Sequence, residues 1–317
     1  MRGDAQAQGA RPTDVAVERA DVEHVPVLAQ SLAEQISCPQ DGVVVDATTG
    51  HGGHSFLFGS RLGPAGTLVG LDFDSRSLER ARQRLAGLRC KVILVKSNFS
   101  RIADCLGELG LREADFILAD LGLCSAQLAD SDIGLSFRTD MPLDMRIDAS
   151  LETTAADIVN ELDEKSLADL IFQYGQDRAS RRIARYIVER RRREPLRTTG
   201  QLAAVVCSAL RAPNRKYQPR KHPATRTFQA LRIAVNHELE NLEELLTTAP
   251  GLLRKDGFVA IISYHSLEDG LVKRDFKRNA DEGIYRLRTK KPIVPSEPEV
   301  AANHRARSAK LRIAQKT

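Results

Sequence analysis

The stretch Val43 to His54 constrains this chain more than any other. Val43, Val44 and Val45 are consecutive β-branched residues that end on Asp46, the pattern of a strand buried on both faces and stopping at a polar loop. Gly50, Gly52 and Gly53 then fall within four positions, before Ser55-Phe56-Leu57-Phe58 resumes an apolar, helix-like run. Glycines are needed where backbone turns tightly or approaches a ligand, because a Cβ would clash there. Such a strand-to-helix turn is either a plain tight turn or a nucleotide-cofactor cradle.

A second acid sharpens the choice. Thr67 to Asp72 reads as the next strand, and Asp72 lies 20 residues beyond Gly52. That is where a nucleotide-binding βαβ unit places the carboxylate for ribose hydroxyls. Lys91 to Val95 and Asp115 to Asp120 read as the third and fourth strands, with Phe99 just past the third. Phe99 suits either an adenine face or a core position closing the sheet. In an open parallel sheet ligands bind at the carboxyl ends of strands, so Asp46, Asp72 and Asp120 are expected in one crevice.

The alternation breaks near Asp132. Helical stretches are expected at Thr154–Glu161, Glu164–Tyr174, Ala179–Arg193 and Thr199–Leu210, as an inserted helical domain. A single long helix, Thr225 to Leu246, is expected to return the chain to the core, with Phe228, Leu231, Ala234, Val235, Leu239, Leu242 and Leu245 at helical spacing. Phe258 to Ser263 is the next buried strand, followed by a helix from Leu267 to Lys277. Tyr285–Arg288 and Lys310–Ile313 suggest a closing hairpin.

Charge points to a partner. The chain of 317 residues carries a net +5, yet between Asp177 and Arg232 there are 16 Lys/Arg against 3 Asp/Glu, leaving the remainder at −8. A solvated helix face would account for Arg190 to Arg193 alone; the whole segment favours nucleic acid. The five cysteines are scattered without a Cys-x-x-Cys, which suggests reduced thiols in a cytoplasmic protein and no zinc site. No apolar run reaches the roughly 18 residues of a membrane span. Met1 to Glu23 lacks the apolar region of a secretory signal and reads as a flexible tail, residues 1–23.

Longer motifs carry a resemblance. They are His24 to Leu28, Asp46 to Ser55, Asp120 to Leu128, Gly134 to Arg138, Pro142 to Arg146, Lys221 to Arg232, Ser263 to Asp269 and Arg305 to Arg312. Through them the chain resembles the bacterial ribosomal small-subunit methyltransferase H family, whose members methylate N4 of a cytosine in 16S rRNA with S-adenosylmethionine. The resemblance implies an α/β fold: a class I, Rossmann-like S-adenosylmethionine-dependent methyltransferase core at 24–131 and 223–317. It also implies an inserted all-helical, basic substrate-recognition domain at 132–222. The partner implied is 16S rRNA or the small ribosomal subunit, with no metal and no membrane. Gly52, Gly53, His54, Asp72, Phe99, Asp120 and Gln127 are the cofactor contacts it implies. Cys124, Ala126 and His304 depart from the family pattern, where serine, proline and proline are usual.

Two other classes compete. A nicotinamide dehydrogenase shares the glycine loop and distant acid, but Ser55 stands where its third glycine would follow, and a basic insert has no use there. A non-catalytic RNA-binding assembly factor on the same fold is the main alternative. Many amino-methyltransferases carry Asp/Asn-Pro-Pro-Tyr after the fourth strand, whereas here Asp120 is followed by Leu121-Gly122. Something else must orient the amine. Asp144, His222 and His265 are candidates to accept a hydrogen bond from it, each with a structural role as an equal alternative.

Overall fold

A computed structural model describes residues 26–123, 133–211 and 222–317. Gln127, Cys124, Ala126 and the tail 1–23 lie outside these residues.

In chain order the first half runs α1 (Ala29–Gln35), β1 (Val43–Asp46), α2 (Gly53–Gly59), β2 (Thr67–Asp72), α3 (Ser75–Leu85), β3 (Lys91–Lys96), α4 (Ile102–Glu108) and β4 (Ala114–Asp120). Among the described residues five helices follow: α5 (Ala155–Glu161), α6 (Glu164–Gly175), α7 (Ser180–Arg191), α8 (Thr199–Leu210) and α9 (Thr225–Asn236). The chain then returns through α10 (Glu238–Leu252), β5 (Leu253–Ser263), α11 (Ser266–Asp281), β6 (Tyr285–Leu287), α12 (Glu297–Ala302) and β7 (Lys310–Lys316).

The strands form one seven-stranded sheet in the order β3-β2-β1-β4-β5-β7-β6. β1 to β5 are parallel, and β7 runs antiparallel between β5 and β6. The reversal of direction of build-up at β1 and β4 opens a crevice above their carboxyl ends, the ligand position of Rossmann-like sheets. The fold is α/β of the class I type, as expected. β6 and β7 do pair, but β7 also fills the gap beside β5, and α12 lies between them in sequence.

Alternate residues of the strands face opposite sides. Val43, Val45, Val69, Leu71, Ile117 and Ile261 pack with α4, α10 and α11. Val44, Leu68, Phe116, Leu118 and Ile262 pack with α1, α2 and α3. Burial on both faces is why these strands are continuous apolar runs. A third cluster joins α5 to α9 through Ile158, Leu167, Ile171, Ile183, Ile187, Val206, Phe228 and Leu231. Local signals start these helices where side chains can accept amide hydrogens. Thr154 and Thr198 each form a reciprocal capping box, with Asp157 and Gln201, and Asp163 caps α6.

One expected helix is two. The stretch read as Thr225–Leu246 breaks at His237, which adopts a left-handed φ of 50°. Phe228, Leu231 and Val235 accordingly face the helical cluster, while Leu242 and Leu245 face the sheet. A 3.6-residue period runs through a one-residue break without losing phase, so periodicity alone does not reveal it.

Candidate active site

The glycine loop is fixed by the strands beneath it. Thr49 N–H donates to the Leu71 carbonyl at 2.8 Å, and Gly50 N–H donates to Asp72 Oδ2 at 2.8 Å. The other Asp72 oxygen accepts from Asp74 N–H at 2.9 Å. Burial pushes the Asp72 carboxyl up to about 6, against the pull of these two amides. On the neighbouring side, Asp120 N–H donates to Thr48 Oγ1 at 2.6 Å, which ties the loop after β1 to the end of β4.

Above these ends lies a cavity of about 310 Å³. The β1 loop contributes Ala47, Thr48 and Gly50; the end of β2 contributes Asp72 and Phe73, and α3 contributes Ser77. The turn after β3 supplies Asn98, Phe99 and Ser100, and the end of β4 supplies Asp120 to Leu123. Its far wall comes from Ile147, Asp148 and Leu151, from the break between α9 and α10 (Arg232, Asn236, His237, Glu238, Asn241), and from Glu268.

Three of the expected cofactor residues, Asp72, Phe99 and Asp120, meet in this cavity. Gly52, Gly53 and His54 are not among its lining residues. Gly52 has φ 79°, and a Cβ there would stand 3.3 Å from the Ala81 backbone; at Gly53 it would stand 3.2 Å from Pro26. These glycines let α2 sit close to α3 and to the start of the described chain. His54 is buried behind Asp120, with Nε2 3.5 Å from Asp120 Oδ2.

None of Asp144, His222 and His265 lines the cavity. Asp144 grips Arg146 through two side-chain hydrogen bonds of 2.8 Å; burial would raise its carboxyl, but Arg146 overrides this and holds it below the usual carboxylate range. His222 stacks on Phe137 with ring centres 4.5 Å apart, and its Nδ1 accepts from Ala224 N–H. His265 caps α11, where its Nδ1 accepts from Glu268 N–H at 3.3 Å.

Residues not singled out in the sequence complete the site. Glu268 accepts from Tyr264 N–H and His265 N–H and faces the cavity from the first turn of α11. Arg232 pairs with both oxygens of Glu238 at 2.8 and 2.9 Å, bridging the helix break. Tyr264 lies against Gly122, where a Cβ would come within 2.7 Å of its ring, and its hydroxyl bonds Asp120. The segment from Tyr264 to Glu268 stood in a recognisable motif, but only tertiary structure brings it to the loop after β4.

Glu238, His265 and Glu268 place one potential ligand atom each within 4.8 Å of one another. His265 Nδ1 already accepts a backbone hydrogen, and Arg232 bonds both oxygens of Glu238. The cavity does fit S-adenosylmethionine. Asp72 keeps lone pairs toward the cavity for two ribose hydroxyls, Phe73 and Phe99 offer apolar faces for a base, and Asp120 offers an anion near the sulfonium end.

Comparison with known proteins gives the family. The model of the MraW methylase family matches residues 21–317. Ribosomal RNA small subunit methyltransferase H of Acidobacterium capsulatum is 47% identical over 300 residues, covering 92% of this chain and 98% of the relative. The protein of that name from Brevibacillus brevis is 42% identical over 308 residues, with 92% and 98% covered. Among solved structures, an rRNA methylase from Streptococcus thermophilus aligns with a TM-score of 0.42 at 12% identity, over 91% of this chain and 93% of that one. On the family match and the identity over nearly its whole length, the chain belongs to the MraW methylase family.

Proposed function

We propose that this protein is a cytoplasmic enzyme that methylates N4 of one cytosine in the decoding, P-site region of 16S rRNA. The reading draws its substrate from the relatives named ribosomal RNA small subunit methyltransferase H. The observation that carries the chemistry is one cavity lined both by the strand-end acid Asp72 and by the carboxylates of Asp120 and Glu268. Carboxylates are the acceptors that suit an exocyclic amine of cytosine.

Bound S-adenosylmethionine supplies an electrophilic methyl group. The rest falls to the protein. The N4 lone pair is delocalised into the ring, so the amine needs to be held in line and at near-attack distance. A carboxylate drawing on one N4 hydrogen makes the nitrogen more pyramidal and takes its proton as the new bond forms. Asp120 is held for this by Tyr264 and by the Gly122 N–H at 3.1 Å. A cytosine reaches the cavity only when unstacked, which favours a strained or single-stranded target.

The helical domain, 132–222 with α9 packed onto it, is proposed to hold the RNA. Arg181, Arg182, Arg185, Arg192 and Arg193 are exposed on α7 and just beyond it. Such a face neutralises phosphates without regard to sequence, and the cavity reads the base.

The test is to incubate the protein with labelled S-adenosylmethionine and small subunits lacking the modification, then digest the rRNA to nucleosides. Label is expected in N4-methylcytidine. Label confined to 5-methylcytidine or to a ribose would refute the assignment, as would none under conditions where the cofactor binds.

A further inference from the structure

Helix α3 carries a charge pattern that the fold does not use. From Ser75 to Lys91 there are six Lys/Arg against one acid, Glu79, and Arg82 takes that acid at 2.6 Å. Arg76, Arg80 and Arg84 recur at four-residue spacing and so form one stripe, about 12 Å long. Arg76 and Arg80 are exposed and Arg84 is half-buried. Their surroundings show which way the stripe faces. Arg80 Nη1 donates to His51 Nε2, in the glycine loop, at 3.1 Å, and the Arg84 guanidinium lies 5.9 Å from the centre of the Phe56 ring on α2. The stripe therefore runs along the shoulder of α3 that meets the glycine loop and α2.

A helix face that only needs solvation gains from opposite charges four residues apart and loses from like ones. Here three like charges follow one another at that spacing. Arg76 has Asp74 at 3.5 Å, but Arg80 faces an imidazole and Arg84 an aromatic ring. Phe56 is as unusual. It is 42% exposed and takes no part in the cluster that its helix builds through Phe58 and Leu62. Cationic side chains that track a backbone, beside an aromatic ring that a base can cover, are the make-up of a surface for single-stranded nucleic acid.

The stripe also begins at the cavity. Ser77, in the first turn of α3, lines it, and Ile147, Asp148 and Leu151 of the helical domain form part of its far wall. A cytosine unstacked into this cavity has α3 on one side and the helical domain on the other. We propose that the α2–α3 face is a second RNA contact, holding single-stranded rRNA that flanks the target on the side away from the helical domain. Arg76, Arg80 and Arg84 neutralise its phosphates, and Phe56 stacks on one unpaired base. The inference rests on the rRNA reading above and extends it: two separate faces grip the strand, with the cavity between them.

Binding of the full chain to small ribosomal subunits lacking the modification, over a salt series, is the test. Each phosphate contact on a single strand contributes about 0.7 to the slope of log affinity against log salt. Arg80→Gln combined with Arg84→Gln removes two contacts, so the slope should flatten by about 1.4. Between about 50 and about 200 mM salt the wild type should then lose roughly sevenfold more affinity than the variant. Arg80→Lys combined with Arg84→Lys keeps both charges and should keep the wild-type slope. An unchanged slope in the Gln pair overturns the proposal. So does a Lys pair as flat as the Gln pair, since the guanidiniums then act through His51 and Phe56 and not on phosphates. Should the Gln pair not fold, Phe56→p-benzoylphenylalanine irradiated on the subunit decides: an adduct with 16S rRNA is expected, and an adduct with ribosomal protein alone, or none, refutes the idea. Charge reversal on α7 separates the two readings. If it flattens the slope and the α3 pair does not, only this second face is lost. If the wild type binds no small subunit, the rRNA reading falls and this inference with it.

Discussion

Replacing Asp72 with alanine should cost S-adenosylmethionine affinity while leaving the sheet intact. Each carboxylate oxygen already accepts one backbone hydrogen, from Gly50 and from Asp74, and has one more lone pair for a ribose hydroxyl. A lost hydrogen bond to a charged group is worth roughly 1.5–3 kcal/mol, and water refilling the space left by the side chain returns part of a second bond. The net expectation is a loss within that range, or roughly 10- to 150-fold in Kd. pH gives an independent check. Because burial raises the Asp72 carboxyl to about 6, the anion is present above that pH and lost below it. Cofactor affinity should therefore be level near neutrality and fall as pH drops through about 6, and Asp72→Ala should flatten this dependence. The sign for stability is opposite. The folded protein without ligand binds this proton more tightly than the unfolded chain does, so Asp72's contribution to stability grows as pH falls through that window. Titration calorimetry on a variant with wild-type circular dichroism is the assay. Affinity within about threefold of wild type would refute the placement of the ribose.

Two further perturbations separate the RNA face from the reaction centre. Reversing charge at Arg182, Arg192 and Arg193, all exposed, should weaken RNA binding and lower its salt dependence while cofactor affinity stays put; unchanged binding across a salt series would remove the case for α7. Arg190 and Arg191 are poorer choices, because they bond Glu194 and the Val159 carbonyl and help hold the fold. Gly122→Ala should displace the Tyr264 ring and lower kcat roughly 10- to 100-fold with little change in cofactor Kd, and wild-type turnover would show that the Tyr264–Asp120 contact is dispensable.

Much of the sheet was legible in the sequence because a strand buried on both faces writes itself as an unbroken apolar run. Val43 to Asp46, Thr67 to Asp72 and Asp115 to Asp120 all do so, each ending on an acid. The strand-end rule alone put Asp46, Asp72 and Asp120 in one crevice; Asp72 and Asp120 line it, whereas Asp46 does not and is bonded by Ser55 Oγ and Thr48 N–H. The far wall could not be read in this way. Arg232, Glu238 and Glu268 are ordinary charged residues in helical sequence, and only the left-handed turn at His237, unmarked by glycine or proline, aims that segment into the cavity. The short helix α4 was missed although Ile102, Cys105 and Leu106 carry its apolar face, since two turns give the period too little length to register. Gly52 and Gly53 show the other limit. A demand for glycine is visible in sequence, but what presses against it, here Ala81 and Pro26, is visible only in space.

The position of β7 bears on how such a chain is made. Lys310 to Lys316 are synthesised after the six other strands of the sheet, yet they occupy an interior place in it, paired on both sides. Their side chains also reach inward: Lys310 Nζ and Arg312 Nε bond the two oxygens of Asp269 at 2.9 and 2.7 Å, in the same first helical turn that presents Glu268 to the cavity. During translation β5 must therefore wait with one edge open, a hazard for association with other nascent chains. The cavity acquires this clamp only when synthesis has passed Arg312, so a truncated translation product would carry the glycine loop but an unsupported Glu268.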